Sequence, residues 1–178
     1  MFKIYTTLFF FIFFNLSAEI VQKLEVKGNS RISAETIKVY GEINIGQDYS
    51  AFDVNKILKN LYNTNFFEDV KISLDNNVLN IAVKEYATVF SVDLQGEKST
   101  TVKNSVLKKL NLKEKESFIE SRLAQDVILI KKIYGSIGFN FVNVEAKIKK
   151  FDDNRVSLVY FLDKGKKTNI AKINFIGD

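Results

Sequence analysis

Apolar residues approach a glycine with the same spacing three times along the chain. Val21, Leu24 and Val26 lead to Gly28, Val89, Val92 and Leu94 to Gly96, and Ile170, Ile173 and Phe175 to Gly177, each set seven, four and two positions ahead. Self-similarity in fixed order over this length predicts tandem copies of one small domain. The first copy reads strand, helix, helix, strand, strand. Val21 to Val26 is a strand ending at the turn signal Gly28-Asn29. Ser33 is placed to cap a short helix carrying Ile37 and Tyr40, and Gly41 to stop it. Asp53 is placed to cap a second helix, whose Val54, Ile57, Leu58, Leu61 and Tyr62 share one face, with Asn65 as a left-handed stop. Val70, Ile72 and Leu74 alternate with polar residues, as do Leu79, Ile81 and Val83. Asp75-Asn76-Asn77 turns between the two runs, which predicts a hairpin.

The second copy repeats the order. Ser99 or Thr101 caps a helix with Val102, Val106, Leu107 and Leu110. Leu123, Val127, Ile130, Tyr134 and Ile137 form the stripe of a longer helix. Gly138 and Phe139 stand where Asn65 and Phe66 stood, and each phenylalanine is expected to plug the corner between helix and sheet. Val142, Val144, Ala146 and Ile148 alternate, Asp152-Asp153-Asn154 turns, and Val156, Leu158, Tyr160 and Leu162 return. One apolar stripe per helix and one apolar face per strand predict an α+β fold: a three-stranded mixed sheet covered on one face by two helices. The last strand is expected in the middle, parallel to the first and antiparallel to the second. The second strand then lies at the edge, over Val70–Leu74 in one copy and Phe141–Ile148 in the other. The expected organisation is a leader over 1–18, domains over 19–86 and 87–168, joined by the short linker Glu85-Tyr86-Ala87, and over 169–178 the first strand of a third domain.

The leader reads as a cleaved secretory signal. Lys3 is a minimal positive region, Leu8–Phe14 is apolar, and Leu16-Ser17-Ala18 precedes a plausible cut between Ala18 and Glu19. The alternative, an uncleaved anchor, is disfavoured because the run is broken by Thr6, Thr7 and Asn15 and falls short of the ~20 residues that span a bilayer. The mature chain is therefore expected outside the cytoplasm.

Composition narrows the chemistry. Among 178 residues there is no cysteine, histidine or proline. That removes disulfides, thiolate and imidazole metal sites, and cysteine- or histidine-dependent catalysis. No cofactor, metal or catalytic constellation is expected. Gly135-Ser-Ile-Gly138 ends a helix rather than opening one, so it is no nucleotide loop, and Asp152-Asp153 is a hairpin tip. Charge is uneven: residues 19–86 carry eight basic and ten acidic side chains, and residues 87–168 carry sixteen and ten. The basic second copy suits an anionic partner or reads as a solvated lysine-rich surface. Nothing marks nucleic acid or a small-molecule substrate.

The element order, the opening pattern and the helix-end phenylalanine resemble POTRA domains. Leu61-Tyr-Asn-Thr-Asn-Phe66-Phe-Glu-Asp-Val70 and Val83-Lys-Glu85 are similar to the first POTRA of the BamA family of outer-membrane assembly factors. The stretch from Tyr134 to Phe139, and Asn154-Arg-Val156 onward, are similar to the second. The resemblance implies a periplasmic arm attached to the outer membrane through a C-terminal barrel that this chain lacks. The chain is thus read as an N-terminal fragment, or a truncated product, of such a protein. The implied partners are unfolded outer-membrane β-barrel precursors and accessory subunits of the assembly complex. The expected binding residues are those of the edge strands: Val70, Lys71, Ile72, Ser73, Leu74, Phe141, Val142, Val144, Ala146 and Ile148. An edge strand offers N–H and C=O groups to an incoming strand whatever its side chains. The competing reading is that Lys71, Lys147 and Lys149 guard solvated edges against pairing. Related readings are a two-partner secretion or similar transporter and, in a different class, a cell-division scaffold behind an inner-membrane anchor.

Overall fold

The computed structural model describes residues 19–168. The leader over 1–18 and the third opening strand over 170–177 lie outside the described residues. Two compact units are present, each built on its own three-stranded sheet.

In the first unit the opening strand is split into β1 (Glu19–Ile20) and β2 (Lys23–Lys27). The chain jogs because Val21 bonds sideways: its N–H donates to Gln47 O at 2.9 Å and its carbonyl accepts from Gly46 N–H at 2.7 Å. β1 pairs antiparallel with β3 (Asp48–Tyr49). α1 (Ala34–Tyr40) starts at Ser33, whose Oγ accepts the Thr36 N–H at 3.1 Å. Gly41 ends it in right-handed geometry, and the left-handed residue is Glu42, one position later (φ 56°). A Cβ at position 41 would press on Ile37 O and Ile43 Cδ1, so Gly41 is there for space. α2 spans Ala51–Asn63. Its cap is Ser50 rather than Asp53. Asp53, third residue of the helix, accepts from Ser50 N–H (2.9 Å) and Oγ–H (2.6 Å), and its own N–H reaches back to Ser50 Oγ. That is the reciprocal box that satisfies a helix start. Asn65 supplies the left-handed stop (φ 57°).

Of the two phenylalanines that follow Asn65, Phe67 is the buried one; Phe66, the residue expected to plug the corner, is half-buried and meets it edge-on at 6.2 Å. β4 (Phe67–Asp75) and β5 (Val78–Glu85) are joined through Asn76 and Asn77, both left-handed, as a two-residue antiparallel hairpin requires. β5 is central and parallel to β2, with Leu24 opposite Leu79 and Val26 opposite Ile81, and β4 is the far strand. Val21, Ile37, Leu61, Leu79 and Ile81 make the core under the helices.

The second unit follows the same plan with β6 (Thr88–Gln95), α3 (Thr100–Leu107), α4 (Glu120–Ser136), β7 (Asn143–Lys150) and β8 (Arg155–Asp163). β8 is central, parallel to β6 and antiparallel to β7. The mixed sheet and its covering helices are those the sequence pattern predicts. A bulge leaves Phe90 as an extra residue between the pairs Val89–Val156 and Ser91–Ser157. Ser99, not Thr101, caps α3. Leu94, Ile130, Tyr134 and Tyr160 are fully buried in the core. Ile137 lies past the last helical turn and is exposed, so the stripe closes at Tyr134. Phe139 fills the corner here, half-buried and edge-on to Tyr134 at 6.3 Å.

Candidate functional site: the end strands of the sheets

The hairpin places β4 at one end of the first sheet and β7 at one end of the second. β4 is longer than expected, adding Phe67, Glu68 and Asp69 ahead of Val70. Val70 is buried, while Ile72 and Leu74 are half-buried, so the strand becomes more exposed as it runs outward. Lys71 and Ser73 point to the opposite, solvent face, where Ser73 Oγ–H donates to Asp75 at 2.8 Å.

In the second sheet the expected site divides. Val144, Ala146 and Ile148 lie on β7, opposite Leu162, Tyr160 and Leu158 of β8. Val144 is buried, Ala146 half-buried and Ile148 37% exposed. Phe141 and Val142 are not on the strand. Pairing begins at Asn143 opposite Asp163. Regular pairing stops with β8 at Asp163: Gly165 N–H donates to Asp163 Oδ1 at 3.0 Å and Gly165 itself is left-handed (φ 60°), so the chain continues beside the Phe141 carbonyl as a turn and not as a strand. Phe141 instead stands 80% exposed in a turn.

The lysines of β7 fold onto their own sheet. Lys147 Nζ lies 4.9 Å from the Phe161 ring centroid and Lys149 Nζ 5.2 Å from that of Phe151. Arg155 likewise stacks on Phe90 at 4.5 Å. These contacts hold the cations over the outer face of the sheet.

Two carboxylates brace this unit, one fully buried and one partly buried. Asp126 of α4 is fully buried and accepts from Asn111 N–H (2.6 Å), Asn111 Nδ2 (2.9 Å), Leu112 N–H (3.0 Å) and Tyr160 OH (3.1 Å). Burial, reinforced by the Asp126 charge, pushes the Tyr160 phenol far up, which keeps it a donor. Glu97, its side chain 5% exposed, joins Ser99 N–H (2.9 Å), Tyr134 OH (2.8 Å) and Lys164 Nζ (3.2 Å). Burial raises its carboxyl, but those three donors outweigh it and hold the group below the usual carboxylate range. Neither carboxylate was singled out from sequence. The signal for Asp126 was present: it falls three residues after Leu123 and four before Ile130, on the apolar stripe of its helix. Among the described residues no group of acidic side chains is arranged to hold a metal ion.

Comparison with known proteins agrees with this architecture. The POTRA family model, described as a surface antigen variable number repeat, matches residues 19–86 and again 87–165. The outer membrane protein assembly factor BamA of Neisseria meningitidis serogroup B is 29% identical over 162 residues, covering 89% of this chain and 20% of that protein. The BamA of Neorickettsia risticii is 22% identical over 162 residues, covering 90% of this chain and 22% of its own. The chain thus spans about a fifth of the length of these curated relatives. The N-terminal domain of Omp85 from Thermosynechococcus elongatus shares the fold, with a TM-score of 0.50 at 16% identity over 79% of this chain and 61% of that one. Two successive matches across two units of like topology lead to one statement: the chain belongs to the POTRA family.

Proposed function

We propose that residues 19–86 and 87–168 are the first two POTRA domains of the periplasmic arm of an outer-membrane β-barrel assembly factor, with 169–178 opening a third. In this reading the arm is held at the outer membrane by a barrel belonging to the longer protein. It is a binding module, not an enzyme. β4 and β7 take up extended segments of unfolded outer-membrane precursors, and of accessory subunits, as added strands. The observation that carries the reading is the doubled family match, with relatives named as BamA, on a fold whose hairpins end each sheet in a long strand.

Backbone pairing suits the task because it tolerates many sequences, and alternate side chains add only modest preference. The site is now read as Val70, Lys71, Ile72, Ser73 and Leu74 on β4 and Val144, Ala146 and Ile148 on β7. Phe141 stands beside β7 as an exposed apolar contact. The test is photocrosslinking in the periplasm of a bacterial host, with a photoreactive residue at Ser73, at Lys147 or at the exposed helix position Phe52. Adducts with outer-membrane precursors from Ser73 and Lys147 but not from Phe52 are expected. Adducts of equal yield at all three, or none from the strands, would overturn the reading.

A further inference from the structure

The first strands, β2 and β6, also end their sheets, and their outer edges are built alike. Val21 and Val89 hold equivalent places in the two repeats, and each turns its N–H and C=O away from its sheet. Val89 N–H donates to Glu116 O at 2.8 Å and its carbonyl accepts from Lys115 N–H at 2.8 Å, as Val21 does with Gln47 and Gly46. Gly46 and Lys115 are both left-handed (φ 89° and 70°), so the same turn covers the same point twice. Along a strand the hydrogen-bonding edge alternates in step with the side-chain face. In the first unit Gln22 N–H and Lys23 N–H both donate to Asn77 O (2.8 and 3.3 Å), an irregularity that resets the alternation, so Leu24 and Val26 share the face of Val21; Val92 and Leu94, past the bulge at Phe90, likewise share that of Val89. All four therefore turn their backbone groups toward the outer edge. The Leu94 N–H is met by the Asp93 carboxylate, which is ion-paired to Lys103 at 2.5 Å. The open window in the second unit therefore centres on Val92, and in the first on Leu24 and Val26.

A groove lies beside each window. In the first unit it has a volume of about 370 Å³ and is lined by Leu24, Ala34 and Ile45 together with Lys23, Lys38 and Glu35. In the second it has a volume of about 400 Å³ and is lined by Val92, Leu107 and Leu112 together with Lys108, Lys113 and Glu114. Each joins an apolar floor to two lysines and a single glutamate; in the first, Lys23 is ion-paired to Glu25 at 2.8 Å, which leaves Lys38 as the cation available to a guest.

We infer that the outer edges of β2 and β6, with their grooves, form a second docking site in each repeat, for an extended polypeptide segment in which apolar residues alternate with acidic ones. Main-chain pairing at Leu24, Val26 and Val92 continues the pairing that the 46–47 and 115–116 turns begin. Apolar side chains of the guest drop into the grooves, and its carboxylates meet Lys38, Lys108 and Lys113. This site is separate from β4 and β7 and does not depend on what those strands bind.

The test is an amide-resolved NMR titration of the purified chain with a short synthetic peptide alternating leucine and glutamate, and with its lysine-for-glutamate counterpart. The acidic peptide is expected to shift the amides of Leu24, Val26 and Val92 and their neighbours, and to bind about tenfold more tightly than the basic one. Lys38→Glu and the double variant Lys108→Glu/Lys113→Glu, all at exposed positions that leave the core intact, are expected to weaken it about tenfold in their own repeat only. No binding, shifts confined to β4 and β7, or unchanged affinity in the charge-reversed variants would overturn the inference. Shifts at β2 and β6 that grow with protein concentration in the absence of peptide would identify a second copy as the occupant and overturn it as well.

Discussion

Asp126 shows how much one residue settles in this fold. A fully buried carboxylate is tolerated only when its oxygens are satisfied, and four donors meet this one. Two are backbone N–H groups of the segment after α3, so the side chain fixes the path between the two helices. Asp126→Asn keeps the shape but points an amide NH₂ at those donors. It is expected to cost about 3 kcal/mol, read from the urea midpoint at constant slope; a loss below about 0.5 kcal/mol would contradict the assigned role. Glu97 makes a pH-dependent counterpart. Its carboxyl is depressed in the fold, so its contribution is present above the unfolded value and is lost as pH falls through the folded one. The wild type is expected to lose stability more steeply than Glu97→Gln as pH falls below the ordinary glutamate range of about 4.3. Parallel unfolding curves for the two proteins across that range would refute the assignment. Neither acid is visible in the apolar periodicity, because Asp126 interrupts a stripe of apolar residues and Glu97 follows the end of a strand.

At the scale of elements, the glycines that announce the repeat prove to be points of close approach as well as turns. Gly28 and Gly96 have φ of 82° and 93°, and a Cβ on either would collide with the carbonyl of Val83 or Leu162 on the central strand. Only glycine meets both conditions. Gly96→Ala is expected to lower stability by about 2–4 kcal/mol, measured as a fall in melting temperature; a change within about 0.5 kcal/mol would show that the strand end can shift to make room. Element identity and order were legible because helices and strands each repeat one buried face. Boundaries were less so. Asp53 looked like a cap because Asp caps well, yet Ser50 ahead of it completes a reciprocal pair. Phe141 and Val142 continue the alternation of β7 in the sequence, but regular pairing with β8 stops at Asp163, just before the left-handed Gly165. Nothing local to Phe141 reports where a strand twenty residues later ends.

At the scale of the whole molecule, two units repeat one plan with different charge: the first slightly acidic, the second clearly basic. The order β2-β5-β4 and its counterpart β6-β8-β7 leave two end strands per sheet. The sequence pattern pointed to the hairpin strand as an edge; it did not mark the first strand, because the loops that partly cover it, around Gly46 and Lys115, carry no apolar periodicity. The proposed role requires β4 and β7 to accept strands from unfolded outer-membrane proteins. Hydrogen–deuterium exchange of the purified chain, with and without an unfolded outer-membrane barrel protein kept soluble in dilute urea, tests that directly. Amides across Phe67–Asp75 and Asn143–Lys150 are expected to exchange about tenfold more slowly when the unfolded protein is present. Unchanged exchange on both strands, with protection elsewhere or nowhere, would contradict the proposed role.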